Sequence, residues 1–233
     1  MGDGQDQDGL DWRGDVPVSR RFDDPYYSTV NGLEETRHVF LQGNDLPRRW
    51  QGARGATVAE LGFGTGLNVL AARALWREVA ARGGVLRITS FEAYPMPRDD
   101  LARALAPWPQ LDPGALLAAW PLTEPLDLGD TVLEVIWGDA RETLPNWSGQ
   151  VENWFLDGFS PARNPEMWEA ALLQAVHDHT CPGGTAATYS AAGAVRRALS
   201  AAGFMVTRHP GYAGKRHMTR AERPRIAGLN DNL

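Results

Sequence analysis

The run Glu60-Leu61-Gly62-Phe63-Gly64-Thr65-Gly66 follows a short apolar stretch, Thr57 to Leu61, and precedes Leu67, Leu70, Ala71, Ala74, Leu75 and Val79, which recur at helical spacing until Gly83-Gly84. An apolar strand, a glycine turn and an amphipathic helix in that order form the opening unit of a parallel α/β sheet. Glycines at such a turn let backbone N–H groups and a helix N-terminus approach a charged ligand without interference from Cβ atoms. The ligand is decided by the spacing. A dinucleotide fingerprint requires Gly-x-Gly-x-x-Gly, and counted from Gly62 its last position is Leu67, so that pattern fails.

What remains is an acid, Glu60, two residues ahead of Gly-x-Gly-x-Gly, which resembles the first motif of S-adenosylmethionine-dependent methyltransferases. An acid there can hold the cationic amino group of the cofactor, often through water. The next strand, Val85 to Phe91, ends at Glu92, where a carboxylate can accept both ribose hydroxyls. Thr131 to Trp137 alternates as a third strand and leads into Gly138-Asp139-Ala140, where Asp139 would accept from an adenine amino group. Each acid alone reads equally well as a helix cap or a solvated turn. Three acids at the ends of three successive parallel strands make a convergent ligand edge. The resemblance implies a cofactor site of Glu60, Gly62, Gly64, Thr65, Gly66, Asn68, Glu92, Asp139 and Ala140.

On either side of this unit the chain alternates strand and helix. Residues 1–21 are rich in Gly, Asp and Gln and predict a flexible acidic tail, with the fold beginning at Phe22 and running to 221, and a second tail over 222–233. Seven prolines between Pro95 and Pro125 predict short helices, around 98–106 and 113–120, joined by loops. Glu152 to Leu156 reads as a fourth strand, Asn164 to Thr180 as one helix with Pro165 in its first turn and Pro182-Gly183-Gly184 ending it. Gly184 to Tyr189 reads as a fifth strand, Ala192 to Ala201 as a helix, and 204–207 with 217–221 as a closing antiparallel hairpin. The fold class expected is therefore α/β, a class I Rossmann-like methyltransferase with a mostly parallel sheet and a C-terminal antiparallel hairpin.

With 233 residues, 43% of them hydrophobic, the chain suits one domain with a single sizeable core. Its one cysteine, Cys181, excludes an internal disulfide and a cysteine-rich zinc site. No apolar run approaches the about 18 residues needed to span a bilayer, and the acidic N-terminus does not read as a signal peptide, so no membrane association is expected and the cytoplasm is the expected location. The net charge of −6 is unevenly spread. Residues 1–24 carry seven acids against three arginines, whereas 208–225 carry Arg208, Lys215, Arg216, Arg220, Arg223 and Arg225 against Glu222 alone. Such a basic segment on a mildly acidic body can contact phosphates locally or can simply be a solvated face.

After the fourth strand comes Asp157-Gly158-Phe159-Ser160-Pro161-Ala162-Arg163-Asn164-Pro165-Glu166-Met167-Trp168. An acid followed by glycine and a proline-containing turn is similar to the Asp-Pro-Pro-aromatic motif of amino-methyltransferases, which makes Asp157 the candidate for orienting an amine or accepting its proton. Capping the turn before the next helix is its structural alternative. Here the resemblance narrows. Tyr26-Tyr27-Ser28, the segment Gly32 to Asn44, the loop Glu60 to Asn68, the segment Trp154 to Trp168, Thr188 to Arg197 and Gly211 to Met218 together resemble the methyltransferase domain of the bifunctional bacterial tRNA 5-methylaminomethyl-2-thiouridine biosynthesis family and its stand-alone relatives, over roughly 22–221.

That resemblance implies S-adenosyl-L-methionine as cofactor and N-methylation of 5-aminomethyl(-2-thio)uridine at the tRNA wobble position. The bifunctional proteins continue into a flavin-dependent oxidase, whereas this sequence stops at Leu233, so no FAD is expected, nor any metal; His177 and His179, two apart on a helix, point to different faces. A wobble base must leave its stack to be modified, and Tyr27, Phe159 and Tyr189 are candidate walls, with Lys215 and Arg216 as candidate phosphate contacts. Nothing in the sequence points to an obligate protein partner. Two other readings stay open: a methyltransferase for a small-molecule or protein amine, and a nucleotide- or tRNA-binding module without catalysis.

Overall fold

The computed structural model describes residues 9–225. The strands β1 (Leu10–Arg13), β2 (Val16–Ser19) and β3 (Asp24–Pro25) form a small antiparallel sheet. This departs from the loose segment expected up to residue 21; residues 1–8 lie outside the described residues, as do 226–233 of the expected C-terminal tail. Leu10, Trp12 and Val16 pack against the main core and Val18 is buried in the small sheet, an apolar alternation diluted by the surrounding acids.

Next come α1 (Gly32–Thr36), a π-helical stretch Arg37–Gln42 and α2 (Leu46–Arg49). The α/β body follows as β4 (Gly55–Leu61), α3 (Leu67–Val79), β5 (Val85–Glu92), α4 (Arg98–Leu105), α5 (Gly114–Ala119), β6 (Leu126–Asp127), β7 (Thr131–Trp137), α6 (Ala140–Thr143) and β8 (Val151–Leu156). It closes with α7 (Ala170–Asp178), β9 (Thr180–Thr188), α8 (Gly193–Ala201), β10 (Met205–His209) and β11 (Met218–Glu222). The main sheet has the order β10-β11-β9-β8-β4-β5-β7-β6. Its five central strands are parallel, and β6, β11 and β10 run antiparallel to their neighbours, so the hairpin at the C-terminal edge is as expected.

Two expectations along the fourth crossover need correction. The segment from Asn164 is not one helix: a 3₁₀ turn over Pro165–Trp168 ends at Glu169, whose extended backbone starts α7 afresh. Pro182-Gly183-Gly184 lies inside β9 and not after a helix. Between the pairs Val151↔Thr180 and Asn153↔Thr185 the register shifts, so this Pro-Gly-Gly run forms a bulge. Gly184 is needed there because a Cβ would come within 2.8 Å of the Glu152 carbonyl.

Buried residues form two clusters. Phe40, Trp50, Phe63, Leu70, Trp76 and Phe155 belong to one, and Leu61, Phe91, Trp154, Leu173, Val176 and Leu199 to the other. With both faces covered, the parallel strands lock in one register, and their C-terminal ends are held together at a single edge.

Candidate active site

A cavity of about 490 Å³ opens at the C-terminal ends of β4, β5, β7 and β8. The glycine loop forms its floor. Gly62, Gly64 and Gly66 adopt φ of +88°, +54° and +70°. A Cβ on Gly62 would lie 2.6 Å from the Asp157 carbonyl oxygen, so the loop can touch the β8 turn only because that position has no side chain. Gly66 precedes α3 and does not reach the cavity wall, whereas Gly62, Gly64, buried Thr65 and Asn68 do.

Of the three strand-end acids, two line the cavity. Glu92 accepts the backbone N–H of Gly64 at 2.9 Å and that of Tyr94 at 2.7 Å; burial raises its pKa, and these bonds oppose the rise. Asp139 caps α6 by accepting the Arg141 N–H at 2.8 Å and pairs with the Arg141 guanidinium at 2.6 Å, whose hydrogen bonds hold its carboxyl below the usual range. Ala140 is buried beside it on the wall.

Glu60, expected to hold the cofactor's amino group directly or through water, stands one layer behind the wall. It is fully buried, accepting from Asn68 Nδ2 at 2.8 Å and Ser90 Oγ at 2.9 Å. Burial drives its pKa well above the usual carboxylate range. Its influence reaches the cavity through Asn68, whose Nδ2 also donates to Asp157 Oδ2 at 2.6 Å and whose Oδ1 accepts from Thr36 Oγ1 at 2.7 Å.

Asp157 lies on the cavity wall where the glycine loop meets the β8 turn. Burial pushes its pKa up to about 7, with Glu35 adding to the rise and the Asn68 bond and Lys215 opposing it. The acid can therefore hold or release a proton near neutrality, which is what general acid–base work requires. It does not cap the following turn through any hydrogen bond among the described residues.

Tyr27, Phe159, Tyr189 and Lys215 line the cavity; exposed Arg216 does not. The Tyr27 hydroxyl is turned away, donating to the carbonyls of Asp15 at 2.7 Å and Ala104 at 3.1 Å, so only its ring is available. Phe159 stacks on Phe22 at 4.7 Å and meets the edge of Tyr26 at 5.0 Å. Tyr189 donates to the Gly158 carbonyl at 2.9 Å, and Lys215 Nζ sits 4.4 Å above its ring while donating to Glu35 Oε1 at 2.9 Å.

Glu35 and Thr36 are functional candidates that the sequence reading passed over. Both are buried at the end of α1. Their neighbours Glu34, Arg37 and His38 are polar, and the helix is too short for periodicity to register, so the sequence carries no signal of their burial. His177 and His179 are separated as expected, against Phe204 and the Gly149 carbonyl respectively.

Residues 115–224 match a family described as S-adenosyl-L-methionine-dependent methyltransferase. A protein of Caulobacter vibrioides is 48% identical over 93% of this chain and 38% of its own length, and one of Chromohalobacter salexigens is 43% identical over 90% and 32%. Both are named tRNA 5-methylaminomethyl-2-thiouridine biosynthesis bifunctional protein MnmC. The chain thus spans less than two thirds of these relatives. The crystal structure of MNMC2 from Aquifex aeolicus shares the fold, with a TM-score of 0.73 at 24% identity, covering 91% of this chain and 69% of that one. Over residues 115–224 the chain is thus similar to a family of S-adenosyl-L-methionine-dependent methyltransferases, and over about nine tenths of its length it is similar to part of the proteins named MnmC.

Proposed function

We propose that the protein N-methylates 5-aminomethyl(-2-thio)uridine at the wobble position of tRNA, giving 5-methylaminomethyl(-2-thio)uridine. The observation that carries this reading is Asp157, a half-buried carboxyl whose pKa is pushed up to about 7, at the junction of the glycine loop with the aromatic wall. The relatives' names supply the substrate class.

The residues present suit the cofactor. Gly62 and Gly64 leave backbone exposed where side chains would intrude, Glu92 is held on the cavity wall by backbone N–H groups to meet a ribose diol, and Asp139 with Ala140 borders the adenine end. Bound there, S-adenosylmethionine supplies an electrophilic methyl group on a sulfonium. Asn68, with Glu60 behind it, forms the amino-acid end of the site.

An alkylammonium titrates near that of lysine, about 10.4, so transferring its proton to a group at about 7 would cost about 4–5 kcal/mol in water. Entry into a closed cavity lowers the ammonium's own pKa by desolvation and narrows that gap. Asp157 then takes the proton and leaves a lone pair on nitrogen. Lys215 favours the ionised form of Asp157 beforehand, and Tyr189 and Phe159 hold the extruded base. Fixing both reactants in one cavity is worth effective molarities of about 10⁵ M or more. Exposed Arg216 lies outside the cavity, in position to meet phosphate.

The test is incubation with labelled S-adenosylmethionine and tRNA from cells lacking the cognate methyltransferase, followed by nucleoside mass analysis. Label in 5-methylaminomethyl(-2-thio)uridine supports the proposal. Cofactor binding without label, on tRNA verified to carry the aminomethyl group, overturns it in favour of another amine acceptor.

A further inference from the structure

A second cavity of about 250 Å³ adjoins the first and shares Arg21, Phe22, Tyr26, Ala93 and Tyr94 with it. It lies between the N-terminal sheet, which contributes Leu10 and Ser19, and the loop after β5, which contributes Pro95, Met96 and Pro97. We propose that this annex is a stacking subsite for the nucleobase adjacent to the modified one in a bound RNA.

The size fits a single heterocycle, falling just below the about 300–1,000 Å³ of ordinary small-ligand sites. The lining suits a flat aromatic ring: Tyr94 is 47% exposed, an unusual position for a large side chain, with the Arg21 guanidinium 4.4 Å from its ring centroid and the Phe22 ring edge-on at 5.8 Å. A tyrosine already stacked by a guanidinium offers a π-face and a positive charge together, the combination that holds bases in single-stranded nucleic acids.

Continuity decides between a base and a separate small molecule. Five residues of the annex are also walls of the main cavity, so a ligand held there can continue into the annex. In a polynucleotide the next base is one backbone unit away from the extruded one. The N-terminal sheet, an addition ahead of the α/β body, supplies one side of this annex.

The inference rests on the proposed RNA substrate, and the test separates the two. Tyr94→Ala and Arg21→Ala would be assayed with an anticodon stem-loop carrying the aminomethyl base, and with the same RNA made abasic at each neighbouring position. Stacking worth about 1–3 kcal/mol per base predicts that Tyr94→Ala raises KM about 5–150-fold on the intact RNA. On RNA abasic at the critical neighbour, wild type should already show that loss and the variant should add little. Cofactor Kd, measured by calorimetry, should stay within about twofold. An equal penalty on intact and abasic RNAs, or a matching loss of cofactor affinity, overturns the annex as a base site while leaving the RNA reading intact. Absence of methyl transfer by the wild type to any RNA, with cofactor bound, would instead overturn the RNA reading itself.

Discussion

Asn68 Nδ2 lies 2.6 Å from Asp157 Oδ2, and the same nitrogen lies 2.8 Å from Glu60. One amide therefore faces two carboxyls, the buried Glu60 and the half-buried Asp157, and the Thr36 hydroxyl, donating to the amide oxygen, fixes which way it faces. The carboxyl on the cavity wall and the acid ahead of the glycine loop are joined through a neutral group and not by direct contact.

Removing that donor should make Asp157 harder to ionise, since the Asn68 bond opposes the rise caused by burial. Asn68→Ala is expected to move the acid limb of the pH–rate profile upward by about one unit, about 1.4 kcal/mol, and to lower the rate at pH 7 about fivefold. A profile that falls in height without moving along the pH axis would show that Asn68 acts only through cofactor placement.

Glu35 and Lys215 should act on the same limb with opposite sign. Burial dominates the raised pKa of Asp157, Glu35 adds to it and Lys215 subtracts. Glu35→Gln should shift the limb to lower pH and Lys215→Met to higher pH. Shifts in one common direction for both variants would contradict this arrangement.

The same titration has a stability consequence. The pKa of Asp157 rises from 3.8 to about 7 on folding, so the folded state retains a proton that the unfolded state has lost between those values. The stabilisation from this group is full below pH 3.8 and disappears as pH rises through about 7. Asp157→Asn keeps an acceptor for Asn68 and should therefore gain stability at pH 8 relative to pH 5, by at most about 2.5 kcal/mol, while abolishing methyl transfer. Thermal melts of both proteins at the two pH values measure this.

Gly62 should tolerate no side chain. Gly62→Ala combines φ of +88° with a Cβ 2.6 Å from a backbone oxygen, neither of which can be relieved by a rotamer change. A cost of about 1–3 kcal/mol for the strained backbone, with added displacement of the Asp157 turn, is expected in denaturant titrations. Cofactor affinity should fall with it.

The basic C-terminal segment divides into distinct tasks. Arg223 donates to the carbonyls of His177 at 2.9 Å and Asp178 at 3.3 Å at the end of α7, whereas Arg216 is exposed and unpaired among the described residues. Arg223→Ala should lower the melting temperature and leave the salt dependence of RNA binding unchanged. Arg216→Ala should leave stability unchanged and reduce the salt slope by about one.

The glycine loop, Glu92, Asp139 and Asp157 were legible because parallel strands announce themselves as apolar runs and their C-terminal ends carry the ligand. Glu60 shows the limit of that logic: spacing marks it as part of the motif, yet only the three-dimensional arrangement reveals Asn68 standing between it and the cavity. Glu35 and Thr36 were illegible for another reason. Their α1 helix has five residues, and burial there follows from packing on α3 and not from any periodicity. In β9, the Pro-Gly-Gly run carries the signature of a helix stop, and the bulge that absorbs it is set by the pairing with β8. The N-terminal strands hid in acidic composition, although their alternation was present.

The hydrogen bond between Lys215 and Glu35 joins residues 180 positions apart. During synthesis, the glycine loop and Glu92 leave the ribosome within one short interval, whereas Lys215 emerges last of the residues on the cavity wall. A nascent chain thus carries Glu35 long before its Lys215 partner exists. Premature termination after α8 would leave a fragment that holds Glu35 and Asp157 and has no Lys215 to favour the ionised form of Asp157.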